Sequence, residues 1–395
     1  MNKYSLLILA LFLTVVVSAQ NDSVQNIYQN TASKLLSQSK GLTLGGYAQI
    51  DYNQPFEQST KHNGELDVHR LVMLLGYNFN SRLQFVSEIE YEHVQEVYVE
   101  QAFLQYRINN YINLRGGLLL IPMGIINEYH EPPSFNGVER PYSDYYIAPT
   151  TWREVGFGIT GNIIDYSLRY QAYVVNGFNG YDGSATFSAQ NGLRKGRQKG
   201  AESYMSSPNF TAKVEYYGLK GLNLGLAGYF GSSQSTALDG LQSTDIEGNA
   251  FADSTVIGIS MLGFDARYNS KGFQFRGQLY YTQISNSEQY NQALNSDIGS
   301  VMMSYYFEMG YNVFHSSKKI KSELIPFARY ETYDTQHKVT GTLIKNDFYN
   351  KQIYTFGLGW KINSQVAIKA DVQFMNNQSV KKYTNMFNAG IGVMF

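Results

Sequence analysis

Charged side chains recur at every second position along many segments of this sequence, with apolar residues between them. In 82–92, for example, Glu88 and Glu90 alternate with Phe85 and Ile89. Because alternate side chains of an extended strand point to opposite faces, one face of each segment collects the charges. A wall of such side chains can attract, orient or exclude ions, so these residues are the first candidates for a functional surface.

The candidates for this polar face lie at alternate positions of their predicted strands, so that their side chains point to the same side of the sheet. They are Arg82, Arg107, Arg115, Arg169, Arg267, Arg276, Arg329, Glu88, Glu90 and Asp265, joined by Lys213, Lys361, Lys369, Asp165, Glu215, Glu308, Glu331 and Asp371. The two signs are nearly balanced, which predicts a field across the face with weak ion preference. Alternatively, the charges are there only because they avoid lipid, where a charge costs about 2–4 kcal/mol.

A second candidate site is the long segment 121–152, which has no regular strand pattern. Such segments are uncommon unless they are functional. Its basic and acidic residues could face each other across a narrow opening, and its tyrosines could stack on sugars or simply pack against a wall. The candidates are Glu128, Glu131, Glu139, Arg140, Tyr142, Asp144, Tyr145, Tyr146 and Arg153.

A basic cluster lies in "NGLRKGRQKG" at 191–200 and consists of Arg194, Lys195, Arg197 and Lys199. Four positive charges in six residues attract anions, including phosphate. The same cluster could instead contact lipopolysaccharide phosphates or be an ordinary solvated loop tip. The sequence leaves these alternatives open.

Signals of enzyme or metal chemistry are few. Six histidines are present, and His93 lies next to Glu92 and near Glu96, but the sequence places no further ligands nearby. A metal site needs three or four ligands, so His93 is predicted to be an ordinary surface residue. There is no nucleophile–base set, glycine-rich phosphate loop or G-x-S-x-G motif. The sequence predicts a protein that is not an enzyme and has no metal or cofactor.

Sixteen segments alternate at period two and are predicted strands. They span 41–52, 65–79, 82–92, 97–108, 112–120, 153–162, 164–175, 209–217, 221–231, 255–269, 272–284, 301–313, 323–333, 351–362, 365–376 and 384–395. Long connections alternate with short ones. This pattern predicts an all-β transmembrane antiparallel β-barrel with short periplasmic turns and long outer loops. A soluble core could hardly bury so many apolar faces, whereas a closed barrel turns them toward lipid.

The two ends of the chain support export and closure. Lys3, an apolar run at 6–17 and a small-residue site predict a signal peptide at 1–19, cleaved after Ala19. Residues 20–40 are polar and are predicted to be a short periplasmic tether before the barrel domain at 41–395. The chain ends in "FNAGIGVMF", so the last strand is predicted to pair with the first and Phe395 to face lipid.

Composition excludes several other classes of protein. The absence of cysteine excludes a lipoprotein and a disulfide-bonded scaffold. A formal net charge of -1 gives no general attraction to nucleic acid. A gated importer would need a plug domain before the barrel, and only the short segment 20–40 is available for one.

Several stretches resemble one family of outer-membrane proteins. They are "VEQAFLQYRINNYINLRGGLLLIPMG" at 99–124, "REVGFGITGNI" at 153–163, "YVVNGFNG" at 173–180, "LIPFARYETYD" at 324–334 and the C-terminal strand ending in Phe395. Together they resemble the phosphate-selective porin O and P family, in particular its Bacteroidetes-type members. One departure is at 118–122, "LLLIP", which lacks the Gln and Lys that the family often has before the proline.

The resemblance implies a sixteen-stranded homotrimeric porin in the outer membrane of a Gram-negative cell, with the third outer loop folded inward. The implied function is passive diffusion of small hydrophilic solutes and ions, with a possible preference for anions or phosphate. The implied partners are those solutes, lipid and lipopolysaccharide, and the assembly machinery that recognises the C-terminal strand. A sugar-selective channel, a barrel enzyme and a surface adhesin are the alternatives.

Overall fold

The structure is a computed structural model that describes residues 35–36, 41–57, 60–380 and 383–395. The predicted signal peptide and all of the predicted tether except Leu35 and Leu36 lie outside the described residues. Leu35 is buried and packs over Gly76 of the barrel wall. Leu36 accepts a hydrogen bond through its carbonyl oxygen from the Gln84 side chain at 2.8 Å.

Within the described residues, sixteen strands close into one antiparallel barrel. They are β1 (Gly41–Phe56), β2 (Glu65–Asn78), β3 (Leu83–Glu92), β4 (Glu96–Arg107), β5 (Asn113–Leu120), β6 (Arg153–Ile163), β7 (Leu168–Val175), β9 (Asn209–Leu219), β10 (Leu222–Ser232), β12 (Gly258–Ser270), β13 (Phe273–Ser285), β14 (Val301–Tyr311), β15 (Glu323–Lys338), β16 (Asn350–Lys361), β17 (Val366–Asn377) and β18 (Thr384–Met394). Each strand pairs with its neighbours along the chain, and β18 returns to β1. The predicted fold class is confirmed.

The remaining elements lie in the connections. β8 (Asn179–Tyr181) and β11 (Gln234–Ser235) form a separate parallel pair. The helices are α1 (Ser143–Tyr146), α2 (Ile246–Ser254) and α3 (Ser287–Leu294), with 3₁₀ turns at Pro132–Ser134, Ile164–Tyr166, Arg194–Gly196, Thr236–Leu238 and Asp347–Tyr349. None of the helices in the described part of the chain is long and apolar enough to cross a lipid bilayer.

The barrel has a long-loop end, where β1 finishes, and a short-turn end, where β1 begins. The long-loop end holds 57–64, 93–95, 121–152, 176–208, 233–257, 286–300, 339–349 and 378–383. The short-turn end holds 79–82, 108–112, 164–167, 220–221, 271–272, 312–322 and 362–365. The segment 312–322 departs from the sorting by length that the sequence suggested, whereas the brief link at 93–95 belongs to the long-loop end, as the sequence indicated.

The two faces of the wall differ as the period-two pattern predicts. In β12, Leu262 and Phe264 are 50% and 48% exposed, whereas Met261 and Asp265 are buried. The exposed side chains point away from the barrel, and an apolar outer face is what lipid requires. The buried side chains point into the lumen, where they meet other protein groups.

Two details of the wall differ from the sequence prediction. The strand predicted at 164–175 begins only at Leu168, because Ile164–Tyr166 form a turn that ends with Ser167 at a φ of 52°. Arg82 is not part of the lumen wall. The Asn80 side chain accepts hydrogen bonds from the backbone N–H groups of Arg82 and Leu83, at 2.8 and 2.9 Å, so Arg82 lies in an exposed turn.

Closure is made by the last residues of the chain. Tyr47 of β1 is in register with Met394 of β18. The backbone N–H of Phe395 donates to Gly46 and the backbone N–H of Gly46 donates to Phe395, both at 2.9 Å. A Cβ on Gly46 would lie 2.5 Å from the carbonyl oxygen of Val72 and 2.8 Å from the Phe395 ring. The predicted pairing of first and last strands is therefore confirmed, and glycine is needed at the seam.

We expect Gly46→Ala to destabilise the barrel by about 1–3 kcal/mol, because the added methyl group overpacks the closing seam. Gly116→Ala is the matched control, since a Cβ there meets no atom closer than 3.7 Å. Urea unfolding of the purified variants in detergent, followed by tryptophan fluorescence, measures both. Equal stability of the two variants would contradict a tight seam at Gly46.

Candidate functional site

The 121–152 loop lies inside the barrel. Nearly all of its residues are buried. At one side of the lumen the Lys213 Nζ of β9 donates to the carbonyl oxygen of Gly124 at 2.7 Å. At another side the backbone N–H of Val138 donates to the Asp371 carboxylate of β17 at 2.7 Å. The loop therefore crosses the interior, as the resemblance implied for the third outer loop.

The neck of the loop is fastened by one side chain. Asn127 Nδ2 donates to the carbonyl oxygens of Ile121 and Trp152, at 2.7 and 2.8 Å. Asn127 Oδ1 accepts from the backbone N–H of Trp152 at 2.8 Å. Trp152 is fully buried, and its indole N–H donates to Glu154 at 2.8 Å. The amide of Asn127 thus joins the two ends of the loop and gives the buried backbone N–H of Trp152 an acceptor.

The predicted lumen charges pair with one another along the wall. Lys213 Nζ lies 2.8 Å from Glu128 of the loop and 3.3 Å from Asp265. Glu215 lies 2.6 Å from Arg267 and 2.7 Å from Arg169. Buried ions are tolerated only when they are paired in this way. At these positions, the nearly equal numbers of positive and negative side chains in the sequence therefore correspond to ion pairs between neighbouring residues.

A second paired group fastens the loop to the other side of the wall. Arg329 donates to Glu308 at 2.7 and 2.9 Å, and Asn136 of the loop donates to the same carboxylate at 3.0 Å. The Lys369 ammonium donates to the carbonyl oxygen of Gly137 at 2.9 Å. These charges hold the loop and are not free to face a passing ion.

His130 contacts several charged and polar residues of the wall. Its Nε2 lies 3.1 Å from Glu100 and 3.6 Å from Glu88. The Tyr47 hydroxyl donates to Glu88 at 3.0 Å, and Arg70 donates to the carbonyl oxygen of His130 at 3.0 Å. Burial alone would lower the pKa of His130, but the carboxylates of Glu100 and Glu88 raise it to about 10. The imidazolium therefore holds two buried glutamates at neutral pH.

The other loop candidates are buried in the same interior. Burial, together with the charge of Arg70, lowers the pKa of Arg140 to about 10, so its guanidinium remains charged at neutral pH. Burial raises the pKa of Asp144 to about 7, although Tyr280 donates a hydrogen bond to it at 2.5 Å. Glu131 is buried as well. The structure thus gathers these residues in the lumen.

The loop tyrosines pack mainly against each other and against the wall. The rings of Tyr142 and Tyr146 stack on Tyr333, with centroid distances of 6.2 and 5.0 Å. Tyr333 is a partner that the sequence did not indicate. Tyr145 is 42% exposed, and the Arg194 guanidinium lies 3.6 Å from its ring centroid. This arrangement is the packing alternative and not an open aromatic platform.

The basic cluster borders a cavity of about 320 Å³ at the long-loop end, which we call the basic pocket; its lining residues are Tyr145, Asn191, Arg194, Lys195, Arg197 and Lys199. Arg194 and Arg197 both donate to the carbonyl oxygen of Thr150, at 2.8 and 2.5 Å. In the described part of the chain, none of the four cations has a carboxylate within ion-pair distance. Burial and the neighbouring Arg194 and Arg153 lower the pKa of Arg197 to about 9.

Arg153 belongs to the same region and not to a row opposite the loop carboxylates. Its guanidinium lies 5.5 Å from the ring centroid of Tyr98, and the Lys199 ammonium lies 4.5 Å from the same centroid. A hydrogen bond of 3.1 Å joins Arg153 to the Thr151 hydroxyl. Arg153 and the basic cluster therefore form one group of cations at the long-loop end that has no carboxylate within ion-pair distance among the described residues.

At the short-turn end the lumen opens into a cavity of about 480 Å³. Arg107, Arg115 and Arg169 line it, together with Glu128 and Glu215. Between this cavity and the long-loop end, the inward side chains at mid-height are buried beneath the loop. The loop thus lies across the lumen between the two ends of the barrel.

Two groups of described residues have the composition of a metal site. One is Glu88, Glu100 and His130, in which the imidazole already contacts both carboxylates. The other is His93 with Asp67 and His69. The sequence places no further ligand next to His93, but the pairing of β2 with β3 brings Asp67 and His69 close to it.

We expect His130→Gln to destabilise the folded protein by about 3 kcal/mol at neutral pH, because it leaves two buried carboxylates without their cation. The folded pKa of His130 is raised above its unfolded value, so its contribution is fully present below about pH 6.5 and declines as the pH rises through about 10. Urea unfolding of both proteins from pH 6 to 11 measures this difference. His337→Gln is the control, and a difference that does not change with pH would contradict the assignment.

Comparisons with known proteins agree with this architecture. No family model matches the chain. A protein of Aquifex aeolicus (strain VF5), described as uncharacterized, is 34% identical over 384 residues, which cover 92% of this chain and 82% of that protein.

Solved structures with a similar fold come from outer membranes. The anion-selective porin from Comamonas acidovorans aligns with a TM-score of 0.55 at 12% identity, covering 90% of this chain and 100% of that one. The outer membrane channel DcaP of Acinetobacter baumannii aligns with a TM-score of 0.56 at 11% identity, covering 90% and 97%. At such identities the likeness concerns the barrel fold.

Proposed function

This chain belongs to the same family as the Aquifex aeolicus protein, and we propose that it is an outer-membrane porin. In this proposal it forms a water-filled channel through which small hydrophilic solutes and ions diffuse passively. The observation that carries the proposal is the 121–152 loop inside a closed barrel with an apolar outer face. A polar lumen narrowed by its own loop is a means of setting the size and charge of what passes.

The proposal includes the orientation and the surroundings of the barrel. The long-loop end faces outward and the short-turn end faces the periplasm, as in other outer-membrane barrels. The sequence and its family resemblance also predict a homotrimer, a signal peptide at 1–19, and contacts with lipopolysaccharide and the assembly machinery. Catalysis has no part in the proposal.

We propose further that the channel prefers anions. The support is the basic pocket, where Arg194, Lys195, Arg197 and Lys199 have no carboxylate partner among the described residues. Unpaired cations at a channel mouth raise the local concentration of anions. A preference for phosphate is the narrower form of this proposal and follows from the family resemblance. The sugar-selective alternative is less favoured, since Tyr142, Tyr146 and Tyr333 cover one another's ring faces.

We expect that replacing 129–143 by Gly-Ser-Gly raises the single-channel conductance at least about twofold, because the change removes nearly half of the 121–152 loop from the lumen. The variant keeps Asn127, which fastens the neck of the loop. The control replaces 240–250, a mostly exposed part of an outer connection, by the same linker. Planar bilayers in KCl measure both. An unchanged conductance would contradict the role of the loop, and a shortened loop that still passes no current would contradict the channel itself.

We expect the double variant Arg194→Gln, Arg197→Gln to lower the ratio of anion to cation permeability about twofold or more, because it removes charge from the basic pocket. The reversal potential in a KCl gradient measures this ratio, and addition of phosphate tests for block of the chloride current. Lys318→Gln, Lys319→Gln removes two exposed cations from the short-turn end and is the control. Equal effects of the two double variants would refute selection at the basic pocket.

A further inference from the structure

We propose that Asp67, His69 and His93 form a binding site for a divalent transition-metal ion of the zinc class at the long-loop rim of the barrel. The side chains offer two imidazole nitrogens and one carboxylate oxygen, and these ligand atoms lie within 4.8 Å of one another. Imidazole with a carboxylate is a donor set that Zn²⁺ accepts, with a fourth position left for water or another ligand.

Strand pairing and one irregularity bring the three residues together. The register between β1 and β2 shifts between Gln49 and Asp51, so that Asp51 pairs with Asp67. The backbone N–H of His93 donates to the carbonyl oxygen of His69 at 3.2 Å, which places the 93–95 turn over the start of β2. The turn is a strained one, since His93 and Val94 have φ values of 52° and 61°.

The two imidazoles converge on a single carboxylate oxygen. His93 Nδ1 lies 2.6 Å from Asp67 Oδ2, and His69 Nδ1 lies 3.5 Å from the same atom. The two rings meet edge to face, with centroids 5.4 Å apart. Ligands of tetrahedral zinc stand about 2.0–2.2 Å from the ion, so small side-chain rotations bring all three donors to it. A bound ion would take the place of the hydrogen bond between His93 Nδ1 and Asp67 Oδ2.

The position at the rim lets an ion reach these atoms without passing the loop. The side chains are 49% exposed for His93, 32% for His69 and 21% for Asp67. Glu92 supplies a further carboxylate, whose oxygen lies 4.0 Å from His93 Nε2. The group of Glu88, Glu100 and His130 inside the lumen is less accessible to an ion, because all three residues are buried.

The neighbouring charges have both signs. His69 lines a cavity of about 170 Å³ together with Arg70, Arg140 and Arg194, which oppose a bound cation. Glu90 and Glu92 line the same cavity and favour one. Arg70 is offset in part by Glu90 at 3.9 Å. A bound ion adds positive charge at the edge of this cavity.

Direct metal binding tests the site without reference to conduction. The chain is purified in detergent with an affinity tag that contains no histidine, stripped with a chelator, and titrated with Zn²⁺ by calorimetry. We expect one ion per chain. The variants His69→Gln and His93→Gln are each expected to weaken binding about tenfold or more, because each removes one of three ligands. Titration with Co²⁺ gives a second readout through its visible absorption.

His337→Gln is the matched control, because His337 is also partly exposed and lies 3.9 Å from the carboxylate of Asp334. We expect it to bind Zn²⁺ as the unaltered chain does. A gel-mobility shift on heating confirms that each variant is a folded barrel. Absence of saturable binding, binding unaffected by His69→Gln and His93→Gln, or a loss seen only in His130→Gln would each overturn the proposal.

Discussion

The structure depends on one constraint, which is that a backbone in lipid must satisfy all of its hydrogen bonds within the protein. A sheet meets it only by closing, and closure here is the pairing of β1 with β18, completed by the mutual hydrogen bonds of Gly46 and Phe395. Once the sheet is closed, alternate side chains face either lipid or the lumen. The apolar outer face and the charged inner face both follow from that geometry.

A lumen lined with charges then requires partners for them, and the 121–152 loop supplies many. Lys213 meets Glu128, Asp371 meets the backbone of Val138, and Glu88 meets His130. Burying such ions is tolerated because each pair satisfies the other's hydrogen bonds. The same contacts also determine which charges among the described residues lack an ion-pair partner, and the cations of the basic pocket are among these.

Much of this could be predicted from local sequence. The alternation of Glu88, Ile89 and Glu90 indicated which side chains face inward, and the length of 121–152 indicated a functional loop. Residues that do not follow the predicted pattern have local causes that the alternation of apolar and charged residues does not indicate. Arg82 lies in a turn because the Asn80 side chain accepts from two backbone N–H groups there. The partners Tyr333 and Asn127 gave no signal, because a stacked ring and a buried amide clip are defined only by what they contact.

The sequence by itself determined the period-two strands and their number, because strand periodicity is a local property. The pairing of the last strand with the first was predicted from the need to close the sheet. Only the tertiary structure decided which charges meet. Asp67 and His93 are far apart in sequence and are joined by the pairing of β2 with β3, and Val138 reaches Asp371 across the lumen. Such contacts depend on closure and on the path of the loop, so no local pattern of residues specifies them.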